Sequence, residues 1–367
     1  MEGPTMPRFG SERGFTLVEL MIASMITMVV MGVAFTTFQN ALALNDAAVQ
    51  LSDSSQNLRA GTNLLVRDLA QAGRNLDVGG VPIPSGGAKP IHRPSPPGTS
   101  YTFENVNDTH LKAITTGAGL GPTVDGRVTD MVTILTDDPY LTDLELYASN
   151  AQVGLPKLAA DGASFDAGAD ALWLDGDPGN GVAPIIAGDL LYFNTVNGQA
   201  IQTVTRVESP YVYFDANDPF MFNQRTAPSG SITQILPPPC PPSPAECDPS
   251  VKVRRLFMFT YYVHEEEPGV PRLMRQLNHF DAQAMAGVIE DLELRYDLVD
   301  GTNNPVNVAD LPFTANDVTY SATQIRKVNV HVGVRSELLN PRTNDYLRTH
   351  VSTVIGIRNL AFVDRYQ

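Results

Sequence analysis

The stretch that decides the fold is FTLVELMIASMITMVVMGVAFTTF, residues 15–38. It holds twenty-four residues and a single charged side chain, Glu19. As an α-helix it would be about 36 Å long, enough to cross a hydrocarbon core of about 30 Å. A buried core helix rarely stays apolar on every face over such a length. The stretch therefore predicts a transmembrane helix near the N-terminus.

Helical periodicity continues beyond this span, through residues 39–75. A leucine stripe recurs every seven residues, at Leu44, Leu51, Leu58 and Leu65. Such a stripe is often a sign of a coiled coil, but here we favour a helix that lays one face on a globular head, with the leucine stripe packed on the sheet of that head. Gly73 marks the expected end of the helix, near Asn75. Gly32 and Gly61 are expected points of bending or local melting.

The residues before the span differ from a secretory signal in where the small residue stands relative to the apolar run. The leader, residues 1–14, is polar, and Arg13 stands just ahead of the span, which predicts a cytoplasmic leader. A secretory signal has a shorter apolar region with small residues after it. Here the small residue, Gly14, comes before the apolar run.

This reversed order carries a family resemblance. The segment RGFTLVEL, residues 13–20, resembles the processing site of type IV prepilins and type II secretion pseudopilins. The resemblance implies that prepilin peptidase cuts between Gly14 and Phe15 and methylates the new Phe15 amine. It also implies that Glu19 neutralises this amine, its own or that of a neighbouring subunit, during filament assembly. In the alternative, Glu19 lies at the membrane interface and reaches water, since a carboxylate inside the bilayer costs about 2.5–3.5 kcal/mol.

The remainder of the chain is predicted to be a β-rich head. Residues 79–98 are rich in proline and glycine and predict an irregular connector. Short alternating runs follow at 128–135, 189–194, 201–207, 211–214 and 257–263. Valines alternate with polar residues over 328–334, and 351–357 repeats the pattern, which predicts an antiparallel hairpin.

These patterns predict an α+β, pilin-like fold: a long N-terminal helix packed on an antiparallel β-sheet head with large loop or β insertions. Five segments are expected. They are the leader (1–14), the transmembrane half of the helix (15–38), its amphipathic half (39–75), a β- and loop-rich part of the head with an insertion lobe (76–250), and a C-terminal antiparallel sheet (251–367).

Several stretches of the head also resemble the large minor pilins of the PilW-like group. They are residues 187–191, 201–207, 271–276, 288–296, 328–337 and 351–359. J-type pseudopilins of type II secretion share part of this layout. The resemblance implies a minor pilin at or near the pilus tip, which primes assembly or presents a surface. A J-type pseudopilin is the alternative, and a membrane-tethered periplasmic enzyme or binding protein is the alternative of another class.

The resemblance also implies partners and a location. The expected partners are other major and minor pilins, prepilin peptidase, the inner-membrane assembly platform and inner-membrane lipid. The chain would cross the inner membrane once with a periplasmic head, and would then join a cell-surface pilus. No direct nucleic-acid binding is expected, because forty acidic residues against twenty-five basic ones give a net charge of −15.

Cys240 and Cys247 are the two cysteines of the chain, in the proline-rich stretch PPPCPPSPAECDP, residues 237–249. In a periplasmic or external head a disulfide persists. We expect the two to pair and to stiffen an exposed loop; two free thiols are the alternative.

The residue sets of common enzymes are missing. The six histidines show no helical two-histidine spacing for zinc, and the sequence holds no phosphate-binding glycine loop and no nucleophile elbow. The run 264–267, HEEE, is expected to be a solvated turn. No catalytic residue or cofactor is therefore predicted, with one metal candidate: calcium at Asp175, Asp177 and Asn180. That cluster departs from the EF-hand pattern, and turns use the same residues without metal.

Overall fold

The structure is a computed structural model, and it describes residues 14–86, 89–103, 109–141, 144–168, 174, 184–242, 247–337, 339–340 and 343–360. Its single long helix within this part of the chain is α1 (Leu17–Ala70), 54 residues. At 1.5 Å per residue α1 is about 81 Å long. The candidate calcium residues Asp175, Asp177 and Asn180 lie outside the described residues.

The helix ends slightly earlier than predicted. After Ala70 a turn carries the chain to Asn75, and Gly73 within that turn adopts a φ of 72°. The amide of Gly73 donates to the carbonyl oxygen of Leu135 at 2.8 Å, so the chain leaves the helix and joins the sheet at this point. Gly73 is the predicted stop, but the last helical residue precedes it.

The head consists of many strands, most of them short. The strands are β1 (Val81–Pro82), β2 (His92–Arg93), β3 (Tyr101–Thr102), β4 (His110–Leu111), β5 (Ile114–Thr115), β6 (Thr123–Val124), β7 (Arg127–Val128), β8 (Val132–Asp137), β9 (Leu144–Leu146), β10 (Lys157–Leu158), β11 (Ser164–Asp166), β12 (Leu190–Thr195), β13 (Gly198–Thr203), β14 (Arg206–Glu208), β15 (Tyr211–Tyr213), β16 (Val251–Glu267), β17 (Val270–Leu277), β18 (Gln283–Leu298), β19 (Phe313–Ala315), β20 (Val318–Tyr320), β21 (Ile325–Arg335) and β22 (Arg348–Gly356). Short 3-10 helices occur at Ile232–Gln234 and Ala322–Gln324.

The largest sheet is antiparallel and runs in the order β13-β12-β16-β17-β18-β21-β22. Its longest strand, β16, also pairs with β8 and β9, and β5 joins through β8. Strands from both predicted head segments, 76–250 and 251–367, therefore share one sheet. The described residues do not test the predicted segment bounds.

The predicted C-terminal hairpin is confirmed. β21 pairs with β22 over nine residue pairs in unbroken antiparallel register, from Lys327↔Gly356 to Arg335↔Arg348. The alternating valines of β21 are buried, each 3 % exposed or less, while Asn329 and His331 on the other parity are more exposed. This alternation is what a sheet with one face against a helix requires.

The helix buries only part of its leucine stripe. Leu58 and Leu65 are buried in one core with the valines of β21 and the leucines of β18. Leu44 is 61 % exposed and Leu51 is 42 % exposed. The prediction that the whole stripe packs on the sheet is therefore wrong for these two leucines, because close packing of the head on α1 begins only at Leu58.

Gly61 lies inside α1, where the helix meets the sheet. α1 is continuous through Gly32 and Gly61. At Gly61 the backbone lies against the sheet so closely that an added Cβ would be 2.6 Å from the Cβ of Ala286. The glycine allows close approach of helix and strand, as small residues do wherever two backbones meet. The expectation of local melting at these two glycines is therefore wrong in this structure, and the expectation of bending stays a prediction.

A second, smaller sheet has the order β10-β11-β15-β14. It has its own core, in which the ring of Phe214 contacts those of Phe165 and Phe193. Val251 and Val253 of β16 belong to the same core. The shared strand β16 thus links this second core to the core under the helix.

Two predicted loops have more structure than the sequence indicated. The proline- and glycine-rich connector holds buried residues, among them Ile83 and Ile91, and the buried side chain of Arg93 donates to Thr133 Oγ1 at 2.9 Å. The acidic run 264–267 is the end of β16 rather than a turn, and the hairpin to β17 is made by residues 268–269. The three glutamates of that run are exposed, as expected.

Candidate assembly site at the helix N-terminus

Gly14 and Phe15 precede the first turn of α1 and make few contacts. Phe15 is 87 % exposed, and nothing lies within 4 Å of the position that a Cβ at Gly14 would take. Thr16, the next residue, has extended backbone angles, φ −74° and ψ 150°. The peptide bond between Gly14 and Phe15 therefore lies in accessible, non-helical chain, which a peptidase can bind in extended form.

Glu19 and Thr16 form a capping box that starts the helix. The Thr16 amide and hydroxyl each donate to Glu19 Oε2 at 2.9 Å, and the Glu19 amide donates to Thr16 Oγ1 at 3.3 Å. This arrangement satisfies amides that the first turn would otherwise leave open, and it places a negative charge at the positive end of the helix dipole. The carboxylate is therefore held one residue away from the Phe15 nitrogen.

Among the described residues, the first part of α1 is not packed on the head. Its large apolar side chains are exposed along the predicted span, from Leu17 at 77 % to Phe38 at 61 %. The helix is long and apolar enough to cross a membrane, and none of its most apolar window is buried inside the protein. An exposed apolar surface of this size needs lipid or other helices around it.

Residues 10–35 match a family model described as the prokaryotic N-terminal methylation motif. The match supports a type IV pilin-like protein. It covers the cleavage site and most of the predicted span, and it implies processing by prepilin peptidase followed by assembly with other pilins into a pilus or pseudopilus. No curated protein matches the chain, and no solved structure does.

With the apolar helix, the motif supports a membrane-anchored, pilin-like protein. The fold agrees with it, because a long apolar helix leads into a largely antiparallel β-sheet head. The roles of Gly14, Phe15 and Glu19 in processing and assembly stay predictions.

The predicted disulfide is present between Cys240 and Cys247, with their Cα atoms 5.1 Å apart. Asn150 holds this loop: its side-chain amide donates to the Cys240 carbonyl oxygen at 3.1 Å and accepts from the Cys240 amide at 2.8 Å. The loop leads directly into Val251, the first residue of β16.

The disulfide loop lies toward the end of the head that is farther from the span. Asp68 on α1 contacts Tyr261 of β16, and the later Asn75 contacts Arg254 of the same strand. β16 therefore runs antiparallel to α1, and its start at Val251 is about 33 Å beyond Tyr261. A loop joined to that start therefore lies at the end of the head that is farther from the apolar span.

Sequence reasoning missed a polar contact that fixes the helix to the sheet. Asp68 is 4 % exposed, and its Oδ2 accepts hydrogen bonds from Tyr261 Oη at 2.7 Å and Arg275 Nε at 2.8 Å. The guanidinium of Arg275 also lies 3.9 Å from the ring centre of Phe259. Burial and the Asp68 carboxylate raise the pKa of Tyr261, which keeps its hydroxyl protonated as a donor.

The only sequence signal for this contact is a carboxylate between buried helical positions, Leu65 and Leu69. Its partners are more than 190 residues away in the chain. Within the described residues, no group of three or more histidine, cysteine, aspartate or glutamate side chains could hold a metal ion.

Proposed function

We propose that this chain is a minor type IV pilin, a structural subunit of the PilW-like kind that enters the filament at or near its tip. The observation that carries the proposal is the exposed apolar helix with Gly14, Phe15 and Glu19 at its start, joined to a head that packs only on the far part of the same helix. The role needs neither a catalytic residue nor a cofactor.

The size of the head supports a position at the tip. A globular unit of 292 residues, 76–367, has a diameter of about 50 Å. Packed helices lie about 8–10 Å apart. Heads this wide crowd one another when every helix in a bundle carries one, and a subunit at the end of the bundle avoids most of that crowding.

The exposed loop at the far end of the head supports the same position. The disulfide joins Cys240 to Cys247 at the base of that loop, and two hydrogen bonds tie Asn150 to Cys240. In a tip subunit this end would be the first part of the filament to meet a surface. We therefore propose that this end presents the contact surface.

Glu19 is proposed to act on the amine that cleavage creates at Phe15. The capping box holds its carboxylate on Thr16, the residue that follows Phe15 in the chain. A cationic amine entering an apolar helix bundle needs a counter-charge, because an unpaired charge there is costly. Glu19 can supply that charge to its own subunit or to a neighbouring one.

The first test is mass spectrometry of the mature N-terminus in membranes and in sheared filaments. The expected result is a chain that begins with N-methylated Phe15. Gly14→Val is the matched control, because a branched side chain at the cleavage site should leave the leader attached. An intact leader on the wild-type chain would defeat the pilin proposal and would favour a membrane-tethered protein of another class.

The second test separates processing from assembly. Glu19→Ala should be cleaved like the wild type but recovered in sheared filaments in much smaller amount. Recovery at the wild-type level would refute the role of Glu19. A third outcome would identify a type II secretion pseudopilin instead of a pilus subunit. In that case the chain is processed but stays in the cell envelope, and its deletion stops protein secretion.

A further inference from the structure

A polar cleft of about 190 Å³ lies where α1 meets the sheet on the side nearer the span. We call it the base cleft. The residues that matter for its chemistry are Gln50, Asp53 and Ser54 of α1, Arg272 of β17, Arg335 of β21, and Glu337. This part of α1 precedes Leu58, where close packing on the head begins. The cleft is therefore open in the isolated chain.

Arg335 is held in this cleft with part of its guanidinium unused: Nε lies near a carboxylate without a hydrogen bond, and Nη1 has no partner among the described residues. Its side chain is only 5 % exposed; Nη2 donates to the carbonyl oxygen of Gly269 at 2.7 Å, and Nε is 3.2 Å from Glu290 Oε1. Its Cζ atom lies 3.7 Å from the ring centre of Tyr346. Nη1 is buried and has no hydrogen-bond partner among the described residues. A buried donor without a partner is costly, and a preorganised one is a binding group.

Two further groups of the cleft are unpaired in the described part of the chain. Arg272 is half-buried and makes no side-chain hydrogen bond or ion pair there. The side-chain oxygen Oε1 of Gln50 is buried and has no partner. Asp53 and Glu337 are exposed, so water solvates their carboxylates at the rim. The cleft thus offers two cations on the inside and two anions at its edge.

The helix beside the cleft has exposed apolar side chains. Leu44 and Leu51 are 61 % and 42 % exposed, and their spacing of seven residues places them on one face of α1. Gln50 of the cleft is the neighbour of Leu51, so a second helix that covers this face also approaches the mouth of the cleft. Water is then excluded, and the Arg272 guanidinium and Nη1 of Arg335 need an acceptor, because Glu290 lies only against Nε of Arg335 and a buried donor without a partner is costly.

We propose that the base cleft receives a carboxylate side chain from the apolar helix of a neighbouring filament subunit. The inference rests on the proposed function, since it needs a filament. The carboxylate would accept from Arg335 Nη1 and from Arg272. The rim acids, Asp53 and Glu337, repel a free anion, so the carboxylate has to arrive on a carrier that also contacts the apolar residues. A second pilin-type helix with an acidic side chain beside an apolar stripe is such a carrier.

The test uses the full chain in cells that assemble filaments. A photo-crosslinking residue placed at position 54 should join to an apolar helical peptide of another subunit, and that peptide should contain Asp or Glu. The Gly14→Val background, in which the leader stays on, should give no such product. Crosslinks only to lipid or only within the same chain would overturn the proposal.

A charge reversal provides a second measurement. Arg272→Glu should lower recovery in sheared filaments by about fivefold or more, since it removes a cation that a buried carboxylate would need. Lys327→Glu is the matched control, because Lys327 is exposed on β21 and the net charge changes equally. The melting temperature of Arg272→Glu should equal that of the wild type, since Arg272 has no partner to lose.

The two proposals can fail separately. If Phe15 is not the mature N-terminus, the proposed function fails. If processing and incorporation are normal but Arg272→Glu and Lys327→Glu are recovered equally, only the base-cleft proposal fails. A rescue experiment would confirm the pairing. In it, the acidic residue found by crosslinking in the neighbouring subunit is changed to Lys, and this change restores the recovery of Arg272→Glu in sheared filaments.

Discussion

Gly61 offers the sharpest test of how the helix meets the head. In an isolated helix Gly→Ala gains about 1 kcal/mol, because alanine restricts the unfolded chain and exposes less backbone. Here an added Cβ would be 2.6 Å from the Cβ of Ala286, well inside ordinary contact. Ala286 is itself only 7 % exposed, so it cannot move aside into solvent.

The magnitude follows from two opposing effects. Forcing an extra methyl group into a packed site costs about 1–3 kcal/mol, whereas the helix gain is about 1 kcal/mol. Gly61→Ala should therefore lower the free energy of unfolding by up to about 2 kcal/mol. In Gly61→Ala with Ala286→Gly the clashing methyl is gone, so the coupling energy of the pair should favour the double variant by about 1–2 kcal/mol.

The assay is denaturant unfolding of the detergent-solubilised full chain, followed by circular dichroism, for the wild type, both single variants and the double variant. Gly32→Ala is the control, since nothing lies within 4 Å of an added Cβ there. A clear stabilisation by Gly61→Ala, or additive effects of the two single changes, would refute the close contact between helix and sheet.

Three further outcomes are expected. Asp68→Asn removes the charge that the buried Tyr261 and the half-buried Arg275 share, and should lower the free energy of unfolding by about 1.5–3 kcal/mol in the same assay. A variant as stable as the wild type would show that this contact does not stabilise the fold. Burial raises the pKa of Tyr262 from 10 to about 12, so the native state holds this proton more tightly than the unfolded state does. The resulting stabilisation should be complete below pH 10 and should be lost as the pH rises toward 12. Tyr262→Phe should make that alkaline slope shallower, whereas Tyr140→Phe, at an exposed site, should not change it. Asn150→Ala removes both hydrogen bonds to the disulfide loop, so limited proteolysis should cut that loop faster, and an unchanged cutting rate would mean that other contacts hold it.

Part of the fold could be predicted because it depends on local pattern. The alternation over 328–334 requires a half-buried strand whatever lies around it, and β21 is found there. The turn at Gly73 is likewise a local feature, although tertiary contact with Leu135 sets the last helical residue. The connector at 79–98 shows the limit: composition predicts a loop, but it cannot show that Ile83 and Ile91 enter a core.

The candidate assembly site was predictable for the same reason, since Gly14, Phe15 and Glu19 stand within six residues of one another. The capping box of Thr16 and Glu19 follows from their spacing of three residues. The base cleft was not predictable, because it is formed by residues far apart in the chain. Its cations lie on β17 and β21, and the helix residues that line it precede those cations by about 220 to 285 positions.

The sequence by itself determined the apolar helix, the processing motif at its start and the α+β class of the chain. These features depend on hydrophobic periodicity, charge and residue spacing, which are local to one helical turn or one strand. Only the tertiary structure decided which leucines of the stripe are buried, why Gly61 is a glycine, and what Asp68 binds. Those outcomes depend on which distant strand meets each turn of the helix. Leu58 faces a sheet and Leu44 does not, although both occupy the same position of the repeat. That difference leaves one length of helix free for other subunits and fixes another to the head.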